Sequence, residues 1–148
     1  MAVNGVNPFH NDGAGDLMME IQNDPAYGLE IISEILEAVI NPPVEGFELD
    51  VDICTAGIAA AELVAALNGN PSPDLPEHYA EWVGDKPTGT DKAMIADSLK
   101  AVERIRQKDT ELYQLFEETS ESPHSPGDLM VEWATVLNDL VKRLQSSL

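Results

Sequence analysis

The stretch ICTAGIAAAELVAAL, Ile53 to Leu67, is apolar on every side of a helix except at Glu62, and it is built mainly from alanine with one glycine, Gly57. A surface helix shows one apolar stripe, whereas a helix that is apolar all round has to be enclosed by its neighbours. Its small side chains let those neighbours approach closely. The stretch is 15 residues long and carries Thr55, Gly57 and Glu62, so it falls short of the roughly 20 mostly apolar residues that cross a bilayer. It predicts a core helix at the centre of an all-α bundle.

The remainder of the chain supplies amphipathic segments of the kind such a core requires. Ala14, Leu17, Met18 and Ile21 form one face of a short helix after Asp12. Asp24-Pro25 reads as an N-cap followed by proline at the first helical position, opening a helix with face Leu29, Ile32, Ile35, Leu36 and Val39. Asn41-Pro42-Pro43 stops it. Phe47, Leu49, Val51 and Ile53 alternate with Glu48, Asp50 and Asp52, but no partner strand is evident, which favours an extended lead-in whose acids suit the N-terminus of the next helix. Asn68-Gly69-Asn70-Pro71 brings C-capping chemistry.

A short helix is expected from about Pro76 to Val83, and another bearing Ile95, Leu99, Val102 and Ile105. Asp109 is placed to cap a short helix with Leu112, Leu115 and Phe116. Ser125-Pro126 starts a last amphipathic helix with Leu129, Trp133, Val136, Leu137, Leu140 and Leu144 inward. No internal repeat is present. The expectation is one domain, residues 1–148, of roughly six to seven helices around the Ala-rich one, since a chain this long and 43% hydrophobic can bury a large core.

A single cysteine, Cys54, excludes an intramolecular disulfide framework, and the first residues show neither a basic segment nor a continuous apolar run. The expected setting is cytoplasmic and reducing. Beside its apolar run and without a basic neighbour, Cys54 reads as a small buried hydrophobe. Trp82 and Trp133, in helical apolar patterns, read as core.

The segment NPFHNDGAGD, residues 7 to 16, has the composition of a site. It also has a complete structural reading: Asn11 and Asp12 are N-caps, Phe9 anchors the entry to the core, and Gly13 and Gly15 permit close backbone approach. The functional alternative makes His10, Asp12 and Asp16 metal ligands or an acid–base group, yet His78 and His124 lie in separate loops and no second cluster stands at ligand spacing. The structural reading is preferred, and neither metal nor cofactor is expected. Asp50-Val51-Asp52 resembles the start of a calcium loop, but Cys54 and Thr55 occupy the positions where an oxygen ligand and glycine belong. Phosphate-binding glycine loops, paired CxxC, HExxH and nucleophile elbows are absent from the sequence.

Three segments, NGVNPFHNDGAGD at the N-terminus, AAAELVAALNG at 59–69 and DTELYQLFEE at 109–118, together resemble a bacterial family of domains of unknown function numbered 4259. The likeness spans most of the chain in the same order. Asn4 stands where the family pattern carries tryptophan, and Asn7 where it carries a second glycine. The resemblance implies no catalytic residues, because the family itself is uncharacterised.

The functional lead lies in the charges. The formal charge is −19, against the magnitude of about 2 to 8 that suffices to keep a small domain soluble. All eight basic residues follow position 85, so residues 1–85 carry sixteen acids and no Lys or Arg, while residues 86–148 set eleven acids against eight bases. Asp12, Asp16, Glu20 and Asp24 recur every four residues, and Glu30, Glu34 and Glu37 stack on one helix face. Each such i, i+4 repulsion costs about 0.2–0.5 kcal/mol. Lys100, Arg104 and Lys108 form a basic stripe able to dock on Asp16, Glu20 and Asp24, but three bases cannot match sixteen acids.

These charges predict a non-enzymatic protein whose acidic face, Asp16, Glu20, Glu30, Glu34, Glu37, Glu45, Glu48, Asp50 and Asp52, occupies a basic surface of a protein partner. An immunity protein, antitoxin or nucleic-acid mimic that inhibits a nuclease fits this description. Direct nucleic-acid binding is disfavoured by like charge. The alternatives are a metal-binding protein or metal-dependent hydrolase built on the N-terminal acids and His10, and an oligomeric structural protein joined through apolar faces.

Overall fold

The computed structural model describes residues 7–41, 49–85, 89–120 and 128–148. Among these, seven α-helices and no strand form one bundle: α1 (Asp12–Asn23), α2 (Gly28–Ile40), α3 (Val51–Leu67), α4 (Glu77–Gly84), α5 (Lys92–Ile105), α6 (Glu111–Ser120) and α7 (Asp128–Ser146). As its composition requires, α3 is the axis, in contact with every other helix. From Gly57 to Leu67 every residue of α3 is buried. A Cβ on Gly57 would stand 2.9 Å from Val39 and 3.0 Å from Ile105, so the missing side chain is what seats α2 and α5 against α3. The helix ends in a Schellman motif: the N–H of Gly69 donates to Ala66 O at 3.0 Å and that of Asn70 to Ala65 O at 2.9 Å, with Gly69 at φ +88.

At its other end α3 begins two residues before Ile53. Asp50 is the N-cap, its carboxylate accepting from the Ile53 N–H at 2.8 Å. The extended lead-in finds its backbone partner in α6 instead of a strand: Glu111 N–H donates to Leu49 O at 3.0 Å, and Val51 N–H donates to the Glu111 carboxylate at 3.2 Å.

Two expected caps are taken by other work. Asp24 makes no side-chain cap bond; it is the C-cap residue of α1, and its own N–H donates to Glu20 O. Pro25–Tyr27 then form a 3-10 turn, and α2 starts at Gly28, which is buried while Leu29 faces outward. Asp109 accepts both guanidinium branches of Arg104 at 2.8 and 3.1 Å, a pairing that holds its carboxyl below the usual range. The buried hydroxyl of Thr110 accepts from Tyr113 N–H at 3.3 Å and takes the capping place at α6. Ser125, Pro126 and the side chain of Leu129 lie outside the described residues, and Trp133, Leu137, Leu140 and Leu144 of α7 are buried as the pattern predicts.

Candidate functional site

The opening segment is an anchor. Asn7 Oδ1 accepts from Phe9 N–H at 2.9 Å, Asn11 caps α1 through Ala14 N–H at 2.8 Å, and Phe9 packs on the Tyr79 ring with centroids 5.4 Å apart. Tyr79 in turn donates to Ala14 O. A Cβ on Gly13 would overlap the Thr55 hydroxyl and lie 2.6 Å from Asp52 O and 2.8 Å from Ala56 N. Glycine therefore lets α1 cross directly on the backbone of α3, whereas Gly15 has open space around it. His10 is exposed. Among the described residues, no group of three His, Cys, Asp or Glu side chains is placed to hold a metal ion.

This close crossing creates a groove of about 230 Å³ between α1, α2 and α3. Leu17, Ile35, Ala38, Ile53 and Ala56 supply its apolar floor, and Asp16, Glu20, Asp50 and Asp52 supply its rim. Four of the nine acids singled out in the sequence thus converge on one feature. Partial burial and the negative charge of Asp50, Asp12 and Asp16 raise the Asp52 carboxyl above its ordinary value. Glu30, Glu34 and Glu37 are exposed on the outer face of α2 and do not line the groove; Glu37 accepts from Asn41 Nδ2 at 2.9 Å at the helix end. Glu45 and Glu48 lie outside the described residues. Nor does the basic stripe dock on α1 through its middle member, because Arg104 pairs with Asp109.

A second polar feature was not singled out from sequence. Glu62, in the middle of α3, is 1% exposed and faces Arg143 of α7, whose Nη2 stands 2.7 Å from Oε1 and 3.2 Å from Oε2. Arg143 also donates through Nε to Asp139 at 2.8 Å and through Nη1 to Asn70 O at 3.3 Å. Burial raises the Glu62 carboxyl more than Arg143 lowers it, and Asp139 and Asp74 add to the rise. The available signal was the acid itself: a lone glutamate inside an otherwise apolar helix has to find a cation. A cleft of about 280 Å³ opens here, its walls including Glu62, Asp74, Thr135, Asp139 and Arg143.

Cys54 is fully buried, and burial pushes its thiol up to about 12, away from the thiolate form. Trp82 and Trp133 are core residues; Trp82 Nε1 donates to Pro25 O at 3.3 Å, and the ring of Trp133 lies 5.0 Å from that of Phe116. No described helix is long and apolar enough to cross a membrane. No curated protein and no solved structure matches the chain. A family model covers residues 3–125, and on that match the chain belongs to the family described as domain of unknown function (DUF4259).

Proposed function

We propose that this protein is a non-enzymatic binding protein, and that its acid-rimmed groove receives a basic surface of a protein partner. The observation that carries this reading is the pairing of an apolar floor with four carboxylates in one concavity. Lysine and arginine side chains are themselves apolar along the stem and cationic at the tip, so the groove matches both parts of such a residue. The surrounding charge of −19 steers a basic partner toward it and repels nucleic acid. Phosphodiester-cleaving enzymes carry cationic grooves, which makes a nuclease the partner class and an immunity protein or antitoxin the role. The one buried thiol suits work in the reducing cytoplasm.

The test is reconstitution of a complex from purified components after low-salt capture from the native host. A triple variant of the groove, Asp16→Asn, Glu20→Gln and Asp52→Asn, should lose the basic partner. A control variant, Glu30→Gln, Glu34→Gln and Glu37→Gln, should keep it. Equal retention by both variants would sink the groove as the working surface. Saturable micromolar binding of Mn²⁺ or Zn²⁺ that is abolished at His10 would replace this reading with the metal-dependent one.

A further inference from the structure

We infer that Asn68 is a modification site, where the Gly69 backbone nitrogen converts the side-chain amide to a carboxylate, and that the fold admits this step only when the joint between α3 and the lead into α5 opens. The nitrogen attacks Asn68 Cγ as it gives up its proton; the new C–N bond closes a five-membered imide, the Cγ–Nδ2 bond breaks and ammonia leaves. Water then opens the imide to aspartate or isoaspartate. The step needs neither oxidant nor cofactor, and glycine at the following position favours it because no Cβ shields the attacking nitrogen.

In the closed fold the reacting groups are held apart. Ring closure requires the Gly69 nitrogen to eclipse Asn68 Cβ about the Cα–C bond, whereas at ψ 16 it lies close to eclipsing the nitrogen of Asn68 itself. The Gly69 N–H is committed to Ala66 O at 3.0 Å. The leaving group is gripped as well: Nδ2 donates to Val64 O at 2.8 Å and to Thr90 Oγ1 at 2.9 Å, while Oδ1 accepts from Thr90 N–H at 3.1 Å. Gly89 comes so close that a Cβ there would overlap Oδ1. The product does not fit this joint. A carboxylate at position 68 has no hydrogen to offer Val64 O or Thr90, and it sets a negative charge on the C-terminus of α3. Isoaspartate also lengthens the backbone just before Asn70, whose side chain donates to Arg143 O and Ser147 Oγ of α7. Modification therefore loosens the end of α3 from both α5 and α7.

The test is peptide mapping by mass spectrometry of the full chain held at mildly alkaline pH, folded in buffer and unfolded in guanidinium chloride, with the aspartyl and isoaspartyl products separated by chromatography. Conversion at Asn68 should be about tenfold or more slower in the folded chain, as for a step that waits on local opening. Thr90→Ala removes one acceptor from the leaving amide and leaves the Thr90 backbone N–H in place, so the folded variant should convert several-fold faster than the parent. Asn68→Asp should melt below the parent. Equal rates in the folded and unfolded chains overturn the inference, as does an unfolded chain in which Asn68 stays an amide. A folded Thr90→Ala chain, with its helical circular dichroism intact, that converts no faster than the parent overturns it too.

Discussion

Replacing Arg143 with methionine isolates the ion pair that the central helix is built around. Methionine keeps most of the apolar stem, so the packing of α7 on α3 is largely retained. What is lost is the only cation among the described residues in contact with a carboxylate that is 1% exposed. Breaking a buried pair by removing one partner costs about 3–5 kcal/mol, because the surviving charge stays buried without its counter-ion. The link to Asp139 adds little, since it is an i, i+4 pair on an exposed carboxylate, the kind that contributes about 0.3–0.5 kcal/mol.

Urea denaturation followed by circular dichroism reads this directly. With a slope of about 2 kcal/mol per molar, the midpoint should fall by about 2 M. The loss should also depend on pH with a definite sign. Without Arg143 the folded-state pKa of Glu62 rises further above its unfolded value of 4.5. The folded chain then takes up a proton that the unfolded chain releases, so the deficit should shrink as pH is lowered from 7 toward that value. A second variant, Glu62→Leu with Arg143→Met, removes both charges and should recover most of the loss. A single-variant cost below about 1 kcal/mol, or a double variant as unstable as the single one, would refute the claim that Arg143 offsets the burial of the Glu62 charge.

Gly13→Ala should destabilise the chain by about 1–3 kcal/mol, as forced overpacking does, because its Cβ has to displace the Thr55 hydroxyl and the α3 backbone; Gly15→Ala, in open space, is the matched control, and equal effects in thermal melts would contradict the crossing described above. Added salt should raise the melting temperature, since screening weakens repulsion among the exposed acids of α1 and α2 more than it weakens the buried pair; a falling melting temperature would mean that attractive surface pairs dominate. Cys54, with a thiol near 12 and no solvent exposure, should react with a thiol reagent at pH 8 only at the rate of unfolding, checked by adding urea.

Most of the architecture is legible in the sequence because helical periodicity is a local signal. The Ala-rich α3, the Asn41-Pro42-Pro43 stop and the Asn68-Gly69-Asn70 cap each depend on residues within a few positions of one another. The expected caps at Asp24 and Asp109 differ from the structure for a different reason. The Asp109 carboxylate has a competing partner in Arg104, and Asp24 is the residue that ends α1; propensity at one position carries no information about either circumstance. The Glu62–Arg143 pair spans 81 residues and belongs to no repeating pattern. In the candidate groove, spacing along α1 marked Asp16 and Glu20, but only the crossing at Gly13 shows that they face Asp50 and Asp52 and that α2 turns its own acids away.

The rim acids are therefore unequal. Asp50 and Asp52 stand at the N-terminus of α3, where the helix presents a partial positive charge and Asp50 is already bonded to a backbone N–H. Part of the charge of Asp50 is answered from within. Asp16 and Glu20 stand in the body of α1, an i, i+4 pair of like charge with no basic residue in its last turn. Their repulsion opposes the helix by about 0.2–0.5 kcal/mol, and a cation seated between them would relieve it. Fold stability and affinity then move in opposite directions at this pair. Asp16→Asn with Glu20→Gln should raise the melting temperature slightly while lowering affinity for a basic partner, whereas Asp50→Ala should lower the melting temperature through loss of the cap. If Asp16→Asn with Glu20→Gln instead lowers the melting temperature, those acids are held by internal contacts, and the groove is part of the scaffold instead of a surface kept open for a partner.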